Sequence, residues 1–468
     1  MNISRRSFVR QAACAAVGTT SIASTIWNLR AMNAAAAQAM SSSTEFRALV
    51  CLFLYGGNDA NNMIVPRDNT NYASYAAARG PLALAQNVLL PINPTTPDPQ
   101  SRLFGVHPSM PEIQTLFNTD KKLAILSNVG TLIQPTTRAQ YLGGTAKLPS
   151  QLFSHADQQV EWQTSWPDAP PKTGWGGRLA DLLTSFNGTS AISMSISLAG
   201  TNTFQVGNTV FEYQVSPGGT VGLTGFTGND GAIRYQAVQD MLNLPHQNLS
   251  EAEFAKITNR SIANNALLSS ALSGITINTP FPANSNLSDQ LKMIAKLVAA
   301  RNTLGMRRQI FFCSVGGYDT HSNELASQAN LLTELSQSMN AFYRATQELN
   351  VADRVTLFTA SDFGRTFASN GSGADHAWGS HAMILGGSVK GGDMYGSYPT
   401  LVINGPDDVG QGRWVPTTSV DEYSATLAKW YGVSSSSDIT TVLPNIGRFA
   451  NPDLGFLNLL AAPPPPGS

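Results

Sequence analysis

The chain has 468 residues, of which 42% are hydrophobic and only 13% are charged, and its formal net charge is −1. This apolar content is enough for a full hydrophobic core and excludes an intrinsically disordered chain. The near-neutral charge, without a run of basic residues, excludes nucleic acid as a partner and gives no reason to expect binding to an anionic membrane surface.

The first 39 residues have the order of an export signal. Arg5 and Arg6 precede an alanine-rich run from Gln11 to Trp27, and Ala37-Gln38-Ala39 fits an A-x-A cleavage site. The run includes threonine and serine and falls short of the roughly 18 apolar residues of a spanning helix. We therefore expect a twin-arginine signal peptide over 1–39, cleaved before Met40, with no transmembrane segment left after cleavage.

This signal has consequences for charge and location. Cleavage removes four arginines and no acidic residue, so the formal charge of the remainder becomes −5. The twin-arginine translocase is then a partner during export, and the protein works in the periplasm or outside the cell. That route carries folded proteins and suits those that take up a metal or cofactor first.

Four short apolar runs, each followed by a polar or glycine-rich turn, predict strands. They are Ala48 to Tyr55, Leu123 to Val129, Gln309 to Val315 and Arg354 to Thr359. Helical periodicity, with apolar residues three or four apart, lies between them at 288–308 and 324–349. The alternation predicts an α/β fold with a mainly parallel sheet flanked by helices. In such sheets, ligands bind at the carboxyl ends of the strands.

Two segments differ from this pattern. Residues from about 187 to 282 are rich in Gly, Thr, Asn and Ser, which predicts a β-rich and loop-rich insertion over the core. The last segment, 456–468, contains Pro463 to Pro466 and is predicted to be an extended tail. We expect one large domain at 45–455, because no Pro- or Gly-rich linker divides it.

The cysteines give no sign of a disulfide framework. Cys14 leaves with the signal, and Cys51 and Cys313 lie inside predicted strands. We expect both to behave as small buried hydrophobic residues rather than to pair.

Polar residues follow the predicted strands in a pattern typical of a metal or anion site. Asp59 follows the first strand, Asp319 and His321 follow the strand at 309–315, and Asp362 follows the strand at 354–359. Imidazole and carboxylate are the ligands of Zn, Mn and Fe sites. Alone, each residue could instead cap a helix or close a turn; together they favour a site.

A nearby loop adds further candidates. Asp375, His376 and His381 lie in it, so that three of the chain's six histidines fall within 321–381. Either histidine of the loop could also be a hydrogen-bonded core residue. Arg365, beside the predicted carboxylates, could bind an anionic oxygen or balance the charge of Asp362.

Five segments of the chain resemble the DUF1501 family, exported bacterial proteins placed in the alkaline phosphatase and sulfatase superfamily. They are GGNDANNMIVP from residue 56, SHADQQVEWQTS from 154, GGYDTHS from 316, SDFGRT from 361 and ADHAWGSHAMILGGSVKGGDMYG from 374. The resemblance covers most of the chain from Leu49 to about Gly396. Because the family has no settled reaction, it implies a fold more strongly than an activity.

The resemblance implies an alkaline phosphatase-like core in which Asp59, Asp319, His321 and Asp362 bind a divalent metal, with zinc or manganese as the expected ion. The superfamily usually has a histidine directly after the aspartate of the last of these motifs. This chain has Phe363 there, which cannot bind a metal. A histidine from the 373–381 loop must replace it, or the site holds one metal or none. We expect His376 rather than His381, with the Phe363 ring in the core.

A nucleophile at the start of a helix is also implied by the resemblance. Ser154 fits best, followed by His155, which could contact substrate oxygen or a metal. Ser154 could equally be a helix cap, completed by Asp157 three residues later. Thr136 or Thr137 is a weaker candidate. Because no cysteine lies in this region, a sulfatase that depends on cysteine-derived formylglycine is disfavoured.

Two functions fit these features. The first is a metal-dependent hydrolase of phosphate or sulfate esters, with a small-molecule or polymeric ester as substrate and Ser154, His155 and Arg365 in catalytic positions. The second is a non-enzymatic exported surface or binding protein that keeps the superfamily fold. Metal content separates them, because only the first requires close to one equivalent or more of bound metal.

Overall fold

The computed structural model describes residues 45–459 except Pro171, Val221 and Thr227. The predicted signal peptide and residues 460–468 of the predicted tail lie outside this range. The strands are β1 (Arg47–Leu54), β2 (Ile64–Pro66), β3 (Leu90–Ile92), β4 (Phe104–Val106), β5 (Leu123–Gly130), β6 (Ser195–Ser197), β7 (Tyr213–Gln214), β8 (Arg308–Val315), β9 (Val355–Ser361), β10 (Ser380–Gly386), β11 (Asp393–Gly396) and β12 (Thr418–Ser419).

Helices connect and cover these strands. The α-helices are α1 (Ala60–Met63), α2 (Asn69–Arg79), α3 (Pro111–Asn118), α4 (Arg138–Leu142), α5 (His155–Thr164), α6 (Trp175–Leu183), α7 (Gly231–Leu242), α8 (Leu249–Leu272), α9 (Asn286–Ala299), α10 (Glu324–Glu348), α11 (Val420–Tyr431) and α12 (Ser436–Val442). In the part of the chain that is described, no helix is long and apolar enough to span a membrane.

The main sheet is mostly parallel. Its strands lie in the order β11-β5-β10-β9-β1-β8-β6-β7, and β12 also pairs with β5. Among the strands within the described residues, only β10 is antiparallel to its neighbours β5 and β9 in this sheet. The predicted α/β class, with a mainly parallel sheet flanked by helices, is therefore confirmed. The four predicted strands correspond to β1, β5, β8 and β9, each within a few residues.

The register of three strands sets up the site. Leu54, the last residue of β1, lies opposite Val315 of β8 and Ser361 of β9. The three strands are parallel, so their carboxyl ends meet at one edge of the sheet. The segments that follow them, which carry the predicted aspartates and His321, are thus brought side by side.

Two hydrophobic clusters cover the two faces of the sheet. Along β1, Ala48, Val50, Leu52 and Leu54 belong to one cluster, and the alternate residues Leu49 to Phe53 belong to the other. This is the two-residue alternation of a strand whose faces are both buried.

The same alternation separates the cysteines. Cys51 lies in one cluster and Cys313 in the other, and both are free and buried. The prediction that they are small buried residues is confirmed. The sheet itself lies between their side chains, which explains why neighbouring strands place no disulfide here.

Two predicted segments differ from the structure. The helix predicted over 288–308 ends at Ala299, and Gly305 then adopts a positive φ of 66° in the turn before β8. The 187–282 stretch has the expected short strands, β6 and β7, in its first part. Its second part is helical, because residues 249–272 are rich in Ala and Leu and Asn248 caps the helix through hydrogen bonds to two backbone N–H groups.

Candidate metal centre

Three histidines and one aspartate converge at the carboxyl edge of the sheet. His155 is the first residue of α5, Asp319 and His321 lie in the turn after β8, and His376 lies in the loop between β9 and β10. His155, Asp319 and His376 offer ligand atoms within 4.8 Å of one another. Below, these three residues and His321 are called the His/Asp group.

The distances within the group match a shared cation. Asp319 Oδ1 lies 3.1 Å from His321 Nε2, 3.4 Å from His155 Nε2 and 3.5 Å from His376 Nε2. The Nε2 atoms of His321 and His376 are 2.9 Å apart. Atoms bound to zinc at 2.0–2.2 Å with tetrahedral geometry are separated by roughly 3.3–3.6 Å. The ligand atoms of His155, Asp319 and His376 therefore need only small shifts to bind one ion, and His321 lies beside them.

Oxygen atoms hold the other nitrogen of each ring. His155 Nδ1 lies 2.7 Å from Asp362 Oδ2, and His376 Nδ1 lies 2.7 Å from the Phe153 carbonyl. His321 Nδ1 lies 3.1 Å from Asp375 Oδ1. A carbonyl or an ionised carboxylate can only accept, so each ring donates its proton from Nδ1.

This proton arrangement leaves the Nε2 lone pairs of His155 and His376 beside the Asp319 carboxylate, while His321 Nε2 also lies 3.4 Å from Arg365 Nη1. His155 Nε2 is buried without a hydrogen-bond partner, which leaves this nitrogen available to a cation. An oxygen acceptor behind a ligating imidazole is the usual arrangement in metal sites, because it fixes the tautomer and the ring orientation. The residues present thus fit a divalent metal.

The charge states of the group also suit a cation. Burial opposes ionisation of Asp319, but hydrogen bonding to Arg365 and its positive charge outweigh this and hold the pKa of Asp319 below its usual value. Burial lowers the pKa of His376, and the nearby Arg365 lowers it further. At neutral pH the group therefore offers a carboxylate and a neutral imidazole, which are the forms that bind metals.

Asp362 and Asp375 support histidines and lie behind them. Asp362 is fully buried and accepts hydrogen bonds from His155, from Gln159 Nε2 at 2.8 Å and from the Gly56 N–H at 3.2 Å. Asp375 faces His321. Both residues were expected as direct ligands, but their oxygens are engaged with the Nδ1 side of the rings. The structure therefore places both aspartates behind the histidine rings, on the Nδ1 side and not on the Nε2 side.

Arg365 has partners other than those expected. Its guanidinium is fully buried and donates to Asp319 and to the carbonyls of Gly56, Gly57, Tyr318 and Ala374. It does not pair with Asp362 in the described structure. Since these contacts involve every nitrogen of the side chain, Arg365 ties the turns after β1 and β8 to the His376 loop and fixes the orientation of Asp319.

Phe363 packs against the histidines. Its ring is buried, as predicted, and its centroid lies 4.8 Å from that of His155 and 4.6 Å from that of His376. A Cβ on Gly57 would lie 2.6 Å from this ring, so only glycine fits at that position. The phenylalanine thus provides an apolar wall that holds two imidazoles in place.

Two predicted ligands lie elsewhere. Asp59 is buried, caps α1 through the Asn61 N–H and pairs with Arg79, so its carboxylate faces away from the His/Asp group. His381 lies in β10, stacks on Tyr398 with centroids 4.8 Å apart and accepts from the backbone N–H of Asn128. Burial lowers the pKa of His381 to about 3, which makes it a neutral core histidine.

Ser154 precedes α5 at the N-cap position. Its hydroxyl donates to Asp157 Oδ2 at 2.6 Å and makes no capping bond to the helix backbone. Ser154 therefore occupies the N-cap position without capping the helix through its side chain, and the second role left open from the sequence, a nucleophile beside His155, is not tested by this contact. Thr137 caps α4 through a capping box with Gln140, which accounts for its hydroxyl.

Sequence reasoning missed two supports of the group. Gln159, which bonds Asp362, is four residues after His155 on α5, a spacing that places both side chains on one helix face. That spacing could have identified it. The Phe153 carbonyl, which accepts from His376, left no signal in the sequence because any residue has a carbonyl.

Fold and site together define an α/β protein with a histidine-rich, metal-competent group at the carboxyl edge of its sheet. The family model described as "Protein of unknown function (DUF1501)" matches residues 250–435, which confirms the predicted resemblance to this family. The matched segment includes Asp319, His321 and His376, whereas His155 lies before it. Among curated proteins, none is significantly similar to the chain in sequence.

Sulfatases are among the solved structures that the chain matches. The PsFucS1 sulfatase from Pseudoalteromonas sp. is 10% identical, with 88% of this chain and 72% of that chain covered and a TM-score of 0.34. A putative sulfatase from Bacteroides thetaiotaomicron is 10% identical, with 86% and 75% covered and a TM-score of 0.29. The C-terminal periplasmic domain of EcEptC from Escherichia coli, in complex with Zn, is 14% identical, with 89% and 93% covered and a TM-score of 0.29. These likenesses are distant, and none assigns a role to a side chain of this protein.

Proposed function

We propose that this protein is a metal-dependent hydrolase of phosphate or sulfate esters that works outside the cytoplasm. The observation that carries the proposal is the convergence of the His155 and His376 Nε2 atoms with the Asp319 carboxylate, with His321 beside them and each imidazole held from behind by an oxygen. Imidazole-rich sets favour zinc among the common divalent ions, with manganese as the alternative.

The metal would be held by His155, His321, His376 and Asp319. A bound divalent ion supplies Lewis-acid activation of an ester oxygen and lowers the pKa of a coordinated water. Asp362, Asp375 and the Phe153 carbonyl keep the Nδ1 protons in place, so the rings do not turn. Arg365 fixes the turn that carries Asp319, and Phe363 excludes water from one side of the group.

Ser154 is the proposed nucleophile. It directly precedes the ligand His155, and its hydroxyl proton already points to the Asp157 carboxylate at 2.6 Å, a group able to accept it. The first turn of α5 has N–H groups without partners inside the helix, which favour an anionic ester nearby.

The test combines metal analysis with activity assays. We expect the purified protein to carry close to one equivalent of metal per chain and to hydrolyse at least one of three substrates: an aryl phosphate, an aryl phosphodiester or an aryl sulfate. His376→Ala should lose both metal and activity. His246→Ala is the matched control, because His246 lies in the insertion beside Glu251. Absence of both metal and turnover in the unaltered protein would contradict the proposal.

A second candidate function has its own supporting observation. Four protein groups are available for one tetrahedral ion, and sites closed in this way are more often structural than catalytic. The protein would then be a non-enzymatic exported surface or binding protein that holds a metal. One equivalent of metal without turnover of any of the three substrates would favour this second function.

A further inference from the structure

A buried arginine outside the His/Asp group connects the segments that carry its histidines. Arg79 is the last residue of α2 and is fully buried. Its Nη2 donates to Glu324 Oε1 at 2.9 Å and to Asp59, and its Nη1 donates to the Thr366 carbonyl at 3.0 Å. Its Nε donates to Asn62 Oδ1 at 3.1 Å. All three nitrogens are therefore engaged.

The first of these contacts controls the His321 segment. Glu324 is the first residue of α10 and lies three residues after His321. Gln328, one turn further along α10, donates to the Asp59 carbonyl at 2.6 Å. Arg79 and Asp59 thus hold the start of α10 against the turn after β1. These contacts fix the position of the His321 turn relative to the sheet.

The second contact controls the His376 segment. Thr366, whose carbonyl accepts from Arg79, donates its N–H to the Asp375 carbonyl at 2.9 Å, and its Oγ1 accepts from the Asp375 N–H at 3.0 Å. Arg365 and His376 form the adjoining backbone bridge. A shift of the Thr366 carbonyl would therefore move His376 with it.

The charges of this network balance within the core. Burial raises the pKa of Glu324, and the negative charge of Asp59 raises it further, so Glu324 carries its proton. Burial opposes ionisation of Asp59, but the Arg79 guanidinium outweighs it and lowers the pKa of that carboxyl. One cation thus faces one anion and one neutral acid. A balanced, hydrogen-bonded set of this kind tolerates burial, whereas loss of one member does not.

From these contacts we propose that Arg79 is a positioning residue of the metal centre, which sets the separation of His321 and His376 without touching the ion. The inference rests on the metal group of the proposed function but not on its chemistry. Residues directly behind metal ligands typically change metal affinity by about 10- to 100-fold when substituted. Arg79 contacts no ligand directly but supports two ligand segments at once, so we expect an effect near the lower end of this range, about tenfold.

The experiment measures binding of Co²⁺ and Zn²⁺ by chelator competition, and the visible absorption of the Co²⁺ form, which reports the ligand geometry. Arg79→Lys keeps the charge but loses the planar fork that reaches three partners. We expect about tenfold weaker metal binding and an altered Co²⁺ spectrum. Arg308→Lys is the matched control: Arg308 is equally buried but lies at the opposite end of β8, where it bonds the carbonyls of Glu45 and Tyr431.

The control separates positioning from stability. Arg308→Lys should lower the urea midpoint of unfolding yet leave the Co²⁺ spectrum and affinity unchanged. If Arg79→Lys does not fold, Glu324→Met keeps the length of the side chain but removes the oxygen that accepts from Arg79, and it should weaken Co²⁺ binding several-fold. Unchanged affinity and spectrum in the folded variant would overturn the inference. Failure of the unaltered protein to bind any metal would overturn the proposed function as well, so the two failures are distinguishable.

Discussion

Substitution of Asp362 by asparagine tests how the metal centre is held together. Asp362 accepts hydrogen bonds from His155 Nδ1, Gln159 Nε2 and the Gly56 N–H. Asparagine has the same shape but only one acceptor oxygen, so at least one of the three donors loses its partner. If the amide N–H₂ faces His155, the ring must keep its proton on Nε2, and a protonated Nε2 cannot bind a metal.

The expected loss of affinity follows from this role. Partners of ligating histidines typically contribute 10- to 100-fold in metal binding, which corresponds to about 1.4–2.7 kcal/mol. Because Asp362 is fully buried, water cannot replace it, and we expect the upper part of this range. Zinc affinity measured by competition with a chromophoric chelator provides the assay.

The matched control is Asp375→Asn. Asp375 holds His321 in the same way, but its side chain is 44% exposed and water can replace it, so we expect a smaller loss. An Asp362→Asn variant that folds and keeps its zinc affinity within twofold would refute the reasoning. A larger loss for Asp375→Asn than for Asp362→Asn would refute the importance of burial.

Three further predictions concern stability, packing and export. Burial raises the pKa of Glu161 to about 8, so the native state keeps a proton that the unfolded chain releases near pH 4.5. The stability that Glu161 contributes is complete below pH 4.5 and is lost as the pH rises towards 8. The free energy of unfolding of Glu161→Gln, measured in urea, should equal that of the parent near pH 4.5 and exceed it at pH 8 by on the order of 3 kcal/mol. Gly57→Ala should lower the free energy of unfolding by roughly 1–3 kcal/mol and should weaken zinc binding. The reason is that φ at Gly57 is +81° and the new Cβ would meet Phe363. Arg5→Lys with Arg6→Lys should keep the protein in the cytoplasm with an uncut N-terminus, as checked by fractionation and N-terminal sequencing.

Each of these has a control or an opposing outcome. Glu253→Gln, at an exposed side chain, should leave the pH dependence of stability unchanged. Gly188→Ala tests backbone strain alone, since its φ is +55° but nothing lies within 4 Å of the added Cβ. Export and cleavage of the double lysine variant near Ala39 would show that the twin-arginine assignment is wrong.

The sequence by itself determined the elements and the edge of the sheet at which the site lies. Continuous apolar runs such as 48–55 and 309–315 read as buried parallel strands because both faces of such strands are covered. Polar residues directly after these runs, including Asp319 and His321, then had to lie at the carboxyl edge. The histidine count between 321 and 381 pointed to the same place.

Only the tertiary structure decided which side chains meet. His155 is separated from Asp319 by more than 150 residues. Neither segment indicates by its sequence whether the His155 ring faces Asp319 or a substrate. The choice between His376 and His381 depends on β10, which carries His381 into the core against Tyr398. Side-chain direction of this kind follows from packing, which local sequence does not encode.

The role of Asp59 shows the same limit. Its place after β1 predicts a ligand, yet its carboxylate pairs with Arg79, which lies 20 residues further along the chain, and borders Glu324, which lies 265 residues away. A buried carboxylate is stabilised by the nearest buried cation. The sequence predicts that Asp59 lies at the edge of the sheet. Because α2 lies against that edge, the Asp59 carboxylate pairs with Arg79 and not with the metal centre.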